Sequence, residues 1–255
     1  MSTKIQKLLA KWPTGGVRVV GALKKEGYSQ DLLNRYRYSG WLNSVGEGAL
    51  AKSGDEPTLI GALFALQHDL KLSVHVGGLT ALELRGHAHY IRTGRRRMWL
   101  FGESKRLPRW FTTYNWKLDV QYRSGRLFSN STKDGLKNYD EGKISVLMSD
   151  ETRAMFEFLS LVPQEHSIEE GKDLMSGLAS VHPARVNSLL KACNSIKVKR
   201  LFLLLAEECG HSWMKRVEVE GLDLGTGPRN LTPGGKLHKK YKVTVPASIL
   251  SDGDR

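Results

Sequence analysis

Between Val17 and Leu50 glycines interrupt an apolar pattern at short intervals, and that spacing admits few folds. Val19, Val20, Ala22 and Leu23 predict a helix over Val17–Lys25; Gly27 stops it, and Ser29 is placed to cap a second helix from Gln30 to about Ser39. Two short helices joined by a three-residue turn containing glycine make a helix-turn-helix. Ile5, Leu8, Leu9 and Trp12 give Lys4–Trp12 the same periodicity, ended by Pro13 and Gly15-Gly16, so a third helix is available to complete the core. Past Gly40, Trp41-Leu42, Val45 and Ala49-Leu50 flank Gly46-Glu47-Gly48 and predict a two-stranded wing, after which Lys52–Pro57 reads as a boundary loop.

The remaining sequence changes texture. Helices are expected at Thr58–Leu70 and Gly78–Gly86, and strands at Leu72–Val76, His89–Ile91, Arg97–Phe101, Leu118–Tyr122 and Ile144–Met148. Ser149-Asp150-Glu151 opens a helix running to Leu161, and Ser167 with Glu170 has capping-box spacing. Pro183 suits the first turn of the helix Ala184–Cys193, and Val198–Glu208 is the most apolar helix of all. Leu222–Pro246 reads as extended strands and turns. The fold class is therefore α+β: a winged helix-turn-helix over residues 1–57, followed by a larger mixed α+β domain over 58–255.

With 255 residues, 40% of them hydrophobic, the chain can bury two cores, and no apolar run reaches bilayer length. The formal charge is +13, and its distribution is uneven: +4 over residues 1–57, +8 over 58–143 and +1 over 144–255. A surplus of fixed positive charge attracts polyanions, so the first 143 residues are where a nucleic acid would bind. In the helix after the turn, Leu32, Leu33 and Tyr36 form the buried face, leaving Gln30, Asn34 and Arg37 outward with Arg35 and Tyr38 beside them. Arg can fork to guanine and Gln or Asn to adenine, while Ser29 and Tyr38 suit phosphates. Lys24, Lys25 and Lys52 are candidate phosphate contacts. A second basic stretch, Arg92, Arg95, Arg96 and Arg97, concentrates charge beside a strand; it suits either a nucleic-acid backbone or an acidic protein partner.

Catalytic patterns are poor. Glu103-x-Lys105 and Glu141-x-Lys143, with Asp119 or Asp134 upstream, have the residue types of a metal-dependent nuclease, but a pattern this short recurs by chance in a lysine-rich chain. Asp69, His75, His87 and His89 read as satisfied structural residues. Cys193 and Cys209 are too few for a disulfide framework and fit a reducing cytoplasm; Cys209 and His211 lack a second pair of metal ligands. Neither a metal nor a cofactor is expected, no export signal is read, and the chain is expected to be cytoplasmic and non-enzymatic.

Three blocks, in order, carry a family resemblance: SQDLLNRYRYSGWLNSVGEGAL, VHVGGLTALELRGHAHYI (Val74–Ile91), and KVKRLFLLLAEECGHSWMKRVEVEGLDLGTGPR (Lys197–Arg229) followed by GGKLHKKYKVTVP (Gly234–Pro246). From about residue 4 to Pro246 the chain resembles the AbiEi antitoxins of abortive-infection, type IV toxin-antitoxin systems used in phage defence. The resemblance implies an N-terminal domain that represses its own operon at inverted repeats in promoter DNA. It also implies a C-terminal domain that counteracts an AbiEii-like nucleotidyltransferase toxin, with no stable complex required. A chain that is monomeric in solution and paired on DNA is expected. Of the site residues, the resemblance carries Ser29, Gln30, Asn34, Arg35, Arg37 and the neighbouring lysines. The competing classes are a metal-dependent nuclease targeted by its N-terminal domain, and a plain ligand-responsive transcription factor.

Overall fold

The structure, a computed structural model, describes residues 3–87, 97–129 and 133–251. The chain divides into two compact units. The first is Met1–His75 with Gly94–Gly125 and Asn138–Met148; the second is Val76–Thr93 with Arg126–Lys137 and Ser149–Arg255.

The first unit begins with α1 (Lys4–Lys11), opened by a capping box in which Thr3 and Gln6 each satisfy the other's backbone N–H. β1 (Val17–Val19), α2 (Val20–Lys25) and α3 (Gln30–Tyr38) follow, then the wing strands β2 (Leu42–Gly46) and β3 (Ala49–Lys52). Leu8, Trp12, Leu23, Leu33, Leu42 and Leu50 form one buried cluster, so all three helices and both wing strands share a core. The single helix expected over Val17–Lys25 is corrected here. Its first three residues pair antiparallel with β3, Val17 opposite Ala51 and Val19 opposite Ala49, and the strand order is β1-β3-β2. Two β-branched residues around a buried arginine suit a strand wherever a partner strand is present.

That arginine is Arg18. Its Nε donates to both oxygens of Asp69 at 3.0–3.1 Å, its Nη2 donates to Glu26, and Asp69 also accepts the Val19 N–H at 2.7 Å. Burial opposes the charge of Arg18, but Asp69 and Glu26 outweigh it and hold the guanidinium above its ordinary pKa. Asp69 ends a stretch in which α4 (Leu59–Phe64) passes into a π-helical turn, Ala65–Asp69, in place of the uninterrupted helix expected to Leu70.

The same unit contains most of a five-stranded sheet. Its strands are β4 (Val74–Val76), β5 (Arg97–Gly102), β6 (Asp119–Ser124), β7 (Leu136–Glu141) and β8 (Ile144–Ser149), in the order β6-β5-β4-β8-β7. The Gln67 amide fastens two central strands, donating to the carbonyls of Val74 at 2.7 Å and Leu147 at 3.3 Å and accepting from Leu147 N–H at 2.8 Å. β5 and β6 run parallel, Arg97 opposite Asp119, and a short helix, α6 (Arg109–Thr113), lies in their connection. Neither α6 nor β7 was expected. The strand expected at His89–Ile91 lies outside the described residues.

The second unit is mainly helical: α5 (Gly78–Leu84), α7 (Glu151–Ser160), α8 (Ile168–Ser176), α9 (Pro183–Ala192) and α10 (Ile196–Glu208). α10 is buried from Val198 to Ala206, as its apolar sequence requires, and Phe202 stacks on Phe156 of α7 at 4.2 Å. Asp150, Ser167 and Ser195 cap α7, α8 and α10, and Pro183 starts α9. A small sheet of β9 (Arg229–Asn230), β10 (Lys236–His238) and β11 (Val243–Val245) closes the tail in the order β10-β11-β9. Buried Arg200 of α10 binds it through the carbonyls of Leu224, Gly227 and Lys242 at 2.5–3.1 Å.

Candidate nucleic-acid interface

Ser29 Oγ accepts the N–H of Leu32 at 3.3 Å and starts α3. Gly27, at φ +89°, turns the chain between α2 and α3 in a conformation costly for other residues. Lys4 braces this turn, donating to Gly27 O at 2.7 Å with its ammonium 5.2 Å from the Tyr28 ring. Leu33 is buried at 1% exposure while Leu32 and Tyr36 are partly covered, so α3 is fixed by one side only.

At 100° per residue, the positions opposite Leu33 and Tyr36 form two rows four residues apart. Gln30, Asn34 and Tyr38 make the first, and Asp31 and Arg35 lie beside it. Gln30 Nε2 donates to Asn34 Oδ1 at 3.4 Å, which aligns the two amides. Gln30, Arg35, Arg37 and Tyr38 are exposed, Tyr38 at 92%, and Asn34 is partly covered. Arg37 lies nearer the buried edge than the expected grouping with Gln30 and Asn34, flanking the row rather than joining it. Among the described residues, neither Arg35 nor Arg37 is in an ion pair. Both also sit in the last turn, where the helix dipole favours a cation.

Around this face lie the supporting candidates. Lys24 and Lys25 are exposed in the last turn of α2. Lys52 is occupied by Asp55 at 3.2 Å, and the wing tip carries the exposed acid Glu47. Gly46 anchors the wing: a Cβ there would stand 2.8 Å from that of Trp110. Arg97 pairs with Asp119 at 2.9 Å and lies 5.7 Å from the Trp99 ring. Arg92, Arg95 and Arg96 lie outside the described residues, as does His89. The structure therefore gathers Ser29, Gln30, Asn34, Arg35, Arg37 and Tyr38 on one element with Lys24 and Lys25 in the helix before it.

Residues 1–93 match the family model described as the transcriptional regulator, AbiEi antitoxin N-terminal domain. Residues 95–246 match that of the transcriptional regulator, AbiEi antitoxin, type IV toxin-antitoxin system. The chain belongs to the AbiEi antitoxin family. Among solved structures it is similar in fold to the RV2827C protein from Mycobacterium tuberculosis, with a TM-score of 0.56 at 14% identity, over 94% of this chain and 89% of that one. No curated protein matches it in sequence.

Within this AbiEi chain Asp119 and Glu103, two of the nuclease-like acids, stand far apart. Asp119 is in register with Arg97, six residues before Glu103 on the neighbouring strand, which separates the two acids by about 20 Å. Glu141 and Lys143 are exposed beside the turn between β7 and β8. Among the described residues, no three His, Cys, Asp or Glu are placed to share a metal ion, and no helix is long and apolar enough to cross a membrane. Cys209 and His211 both address backbone carbonyls, of Lys172 and Met175. Cys193 is buried, which pushes its thiol up to about 11.

Two exposed residues on and just after α3 were given no functional role in the sequence reading. Asp31 stands on the face with Gln30 and Asn34, exposed and one helical turn before Arg35. Trp41, three residues past the end of α3, is 50% exposed. The alternation of charge at positions 31 and 35 is the signal that could have drawn attention to Asp31.

Proposed function

We propose that the chain is a DNA-binding autorepressor whose α3 enters the major groove of its own promoter. Residues 1–57 act as the DNA-reading module, and residues 58–255 carry the antitoxin activity against a nucleotidyltransferase toxin. The observation that carries the reading is the outward face of α3. Gln30, Asn34, Arg35 and Tyr38 stand free of the core on a short capped helix, and amide and guanidinium groups so presented match base edges and phosphates. Lys24 and Lys25 supply phosphate contacts, and two monomers meet on an inverted repeat. Arg92, Arg95 and Arg96 add backbone charge beyond the module. Family membership supports promoter binding and a toxin partner in general terms. Cytoplasmic residence and the absence of enzymatic activity follow from this role.

Fluorescence anisotropy of the full chain with a labelled promoter fragment and a scrambled duplex, across a salt series, tests the reading. The promoter should bind at least a thousandfold more tightly, a ratio typical of specific recognition, and both affinities should fall as salt rises. Equal affinity for the two duplexes would refute promoter reading.

Asp31 refines the prediction. A carboxylate facing a polyanion costs affinity unless it accepts a hydrogen bond from a cytosine amino group. Asp31→Asn should therefore tighten binding to the scrambled duplex while lowering discrimination at one base-pair position by roughly 5- to 150-fold. A panel of single-base promoter variants locates that position; unchanged discrimination across all of them excludes a reading role for Asp31.

A further inference from the structure

The second unit holds a cleft of about 360 Å³ between the end of α5, the start of α7 and the loop after α8, lined by Arg85, His87, Glu151 and the segment Gly177–Val181. The volume falls within the range of small-ligand sites. Arg85 is the unusual member. Its Nε donates to the Ser149 carbonyl at 2.8 Å, fixing the plane of the guanidinium. Its Nη2 is buried and, among the described residues, has no hydrogen-bond partner. Buried donors are nearly always paired because leaving one unmade is costly, and a guanidinium is the most demanding case, with five donors in a rigid fork.

The neighbours define what would satisfy it. Among the described residues, Arg85 is in no ion pair, although Glu151 lines the same cleft. His87 and the exposed Ser180 offer further hydrogen-bonding groups at the rim. An arginine fork held from one side presents paired N–H groups to two oxygens of a single anion. Glu151 sets the limit on charge: it tolerates a monoanion beside it and repels a phosphate dianion.

We propose that this cleft is a binding site for a carboxylate, held by the free edge of the Arg85 guanidinium. The occupant is a small carboxylic acid or an acidic side chain of a bound peptide. Both present the same group, and the proposal is independent of how α3 reads DNA.

The test is a titration of the full chain with acetate, succinate, L-aspartate, inorganic phosphate and a short Asp-rich peptide. Ionic strength is matched with chloride, and binding is followed by amide chemical shifts. At least one carboxylate probe should saturate, with shifts centred on His87, Gly177, Ala179 and Ser180. Arg85→Lys, which keeps the charge and loses the fork, should weaken it at least tenfold, and Arg85→Gln should abolish it. Glu151→Gln should tighten carboxylate binding and admit phosphate. Saturation by the peptide alone, if dependent on Arg85, supports the site and identifies the source as protein. The proposal is overturned by saturation with phosphate but no carboxylate, by shifts centred elsewhere, or by an equal response in wild type and Arg85→Lys. Should Arg85→Gln fail to fold, Arg85→Lys and the wild-type shift map decide.

Discussion

Replacing Arg35 and Arg37 together with alanine is expected to lower promoter affinity by a factor on the order of 10²–10⁴. The range follows from about 1–3 kcal/mol for the base contact of Arg35 and about 1.5–3 kcal/mol for the charged phosphate contact of Arg37. The fold should be indifferent, because both side chains are exposed, neither belongs to the cluster around Leu33, and surface changes of this kind stay within about 0.5 kcal/mol. Growth rescue from the cognate toxin should persist if, as proposed, residues 58–255 carry the antitoxin role. The pattern of loss separates two physical roles. Arginines that read bases weaken the promoter complex far more than the scrambled one. Arginines that hold phosphates weaken both alike, and each lost contact reduces the salt slope by about 0.9. Arg35 faces outward beside the Gln30–Asn34–Tyr38 row and should follow the first pattern; Arg37 flanks that row and should follow the second. Loss of toxin rescue alongside promoter binding would contradict the division of labour.

The N-terminal fold is legible in the sequence because its determinants are local. Thr3, Ser29 and Gly27 act within a few residues of themselves, and the apolar spacing of α1 and α3 needs no partner to be seen. β1 is different. Val17–Val19 becomes a strand because Ala49–Ala51, thirty or more residues away, offers a ladder. A three-residue segment flanked by helix-compatible residues carries no trace of that partner. β7 is hidden for another reason. As an edge strand it is exposed at four of its six positions, so Leu-Lys-Asn-Tyr-Asp-Glu shows no alternation to detect. The π turn at Ala65–Asp69 likewise lies within a segment whose periodicity still reads as ordinary helix.

The candidate interface divides along the same line. Exposure of Gln30, Arg35 and Arg37 follows from burial of Leu33, which one helical turn of sequence predicts. Whether a cation is available does not follow from its residue type. Lys52 and Arg97 look like their neighbours in sequence, yet each is paired with an acid, Asp55 three residues on and Asp119 on the adjacent strand. Discounting them shifts the electrostatic weight onto α2 and α3. Arg85 is the converse: one of 39 basic residues, distinguished only by the carbonyl and cleft that the fold places around it.

Glu157→Ala should destabilise the second unit by about 3–5 kcal/mol, the usual result of stripping one partner from a buried ion pair. Glu157 is 1% exposed, and its carboxylate joins three elements. Oε1 accepts from Arg153 Nε at 3.0 Å, while Oε2 accepts from Ser149 Oγ at 2.7 Å and from the first N–H of α5, on Gly78, at 3.1 Å. Alanine would leave a largely buried guanidinium, a hydroxyl and a helix-terminal N–H without the carboxylate they share. Arg153 would retain its bond to the Asp134 carbonyl, at 2.8 Å, and its packing 4.6 Å from the Phe128 ring, but lose the carboxylate that balances its charge. In a domain of this size the loss corresponds to a fall in thermal midpoint on the order of 10 °C, measurable by circular dichroism. Glu157→Gln keeps the shape and one acceptor but turns an amide N–H₂ toward existing donors, so its cost should fall between wild type and alanine. The decisive measurement is the double variant. If the penalty comes from an uncompensated charge rather than from lost volume, Arg153→Met on the Glu157→Ala background should recover part of the stability; additive losses would show the two side chains acting independently.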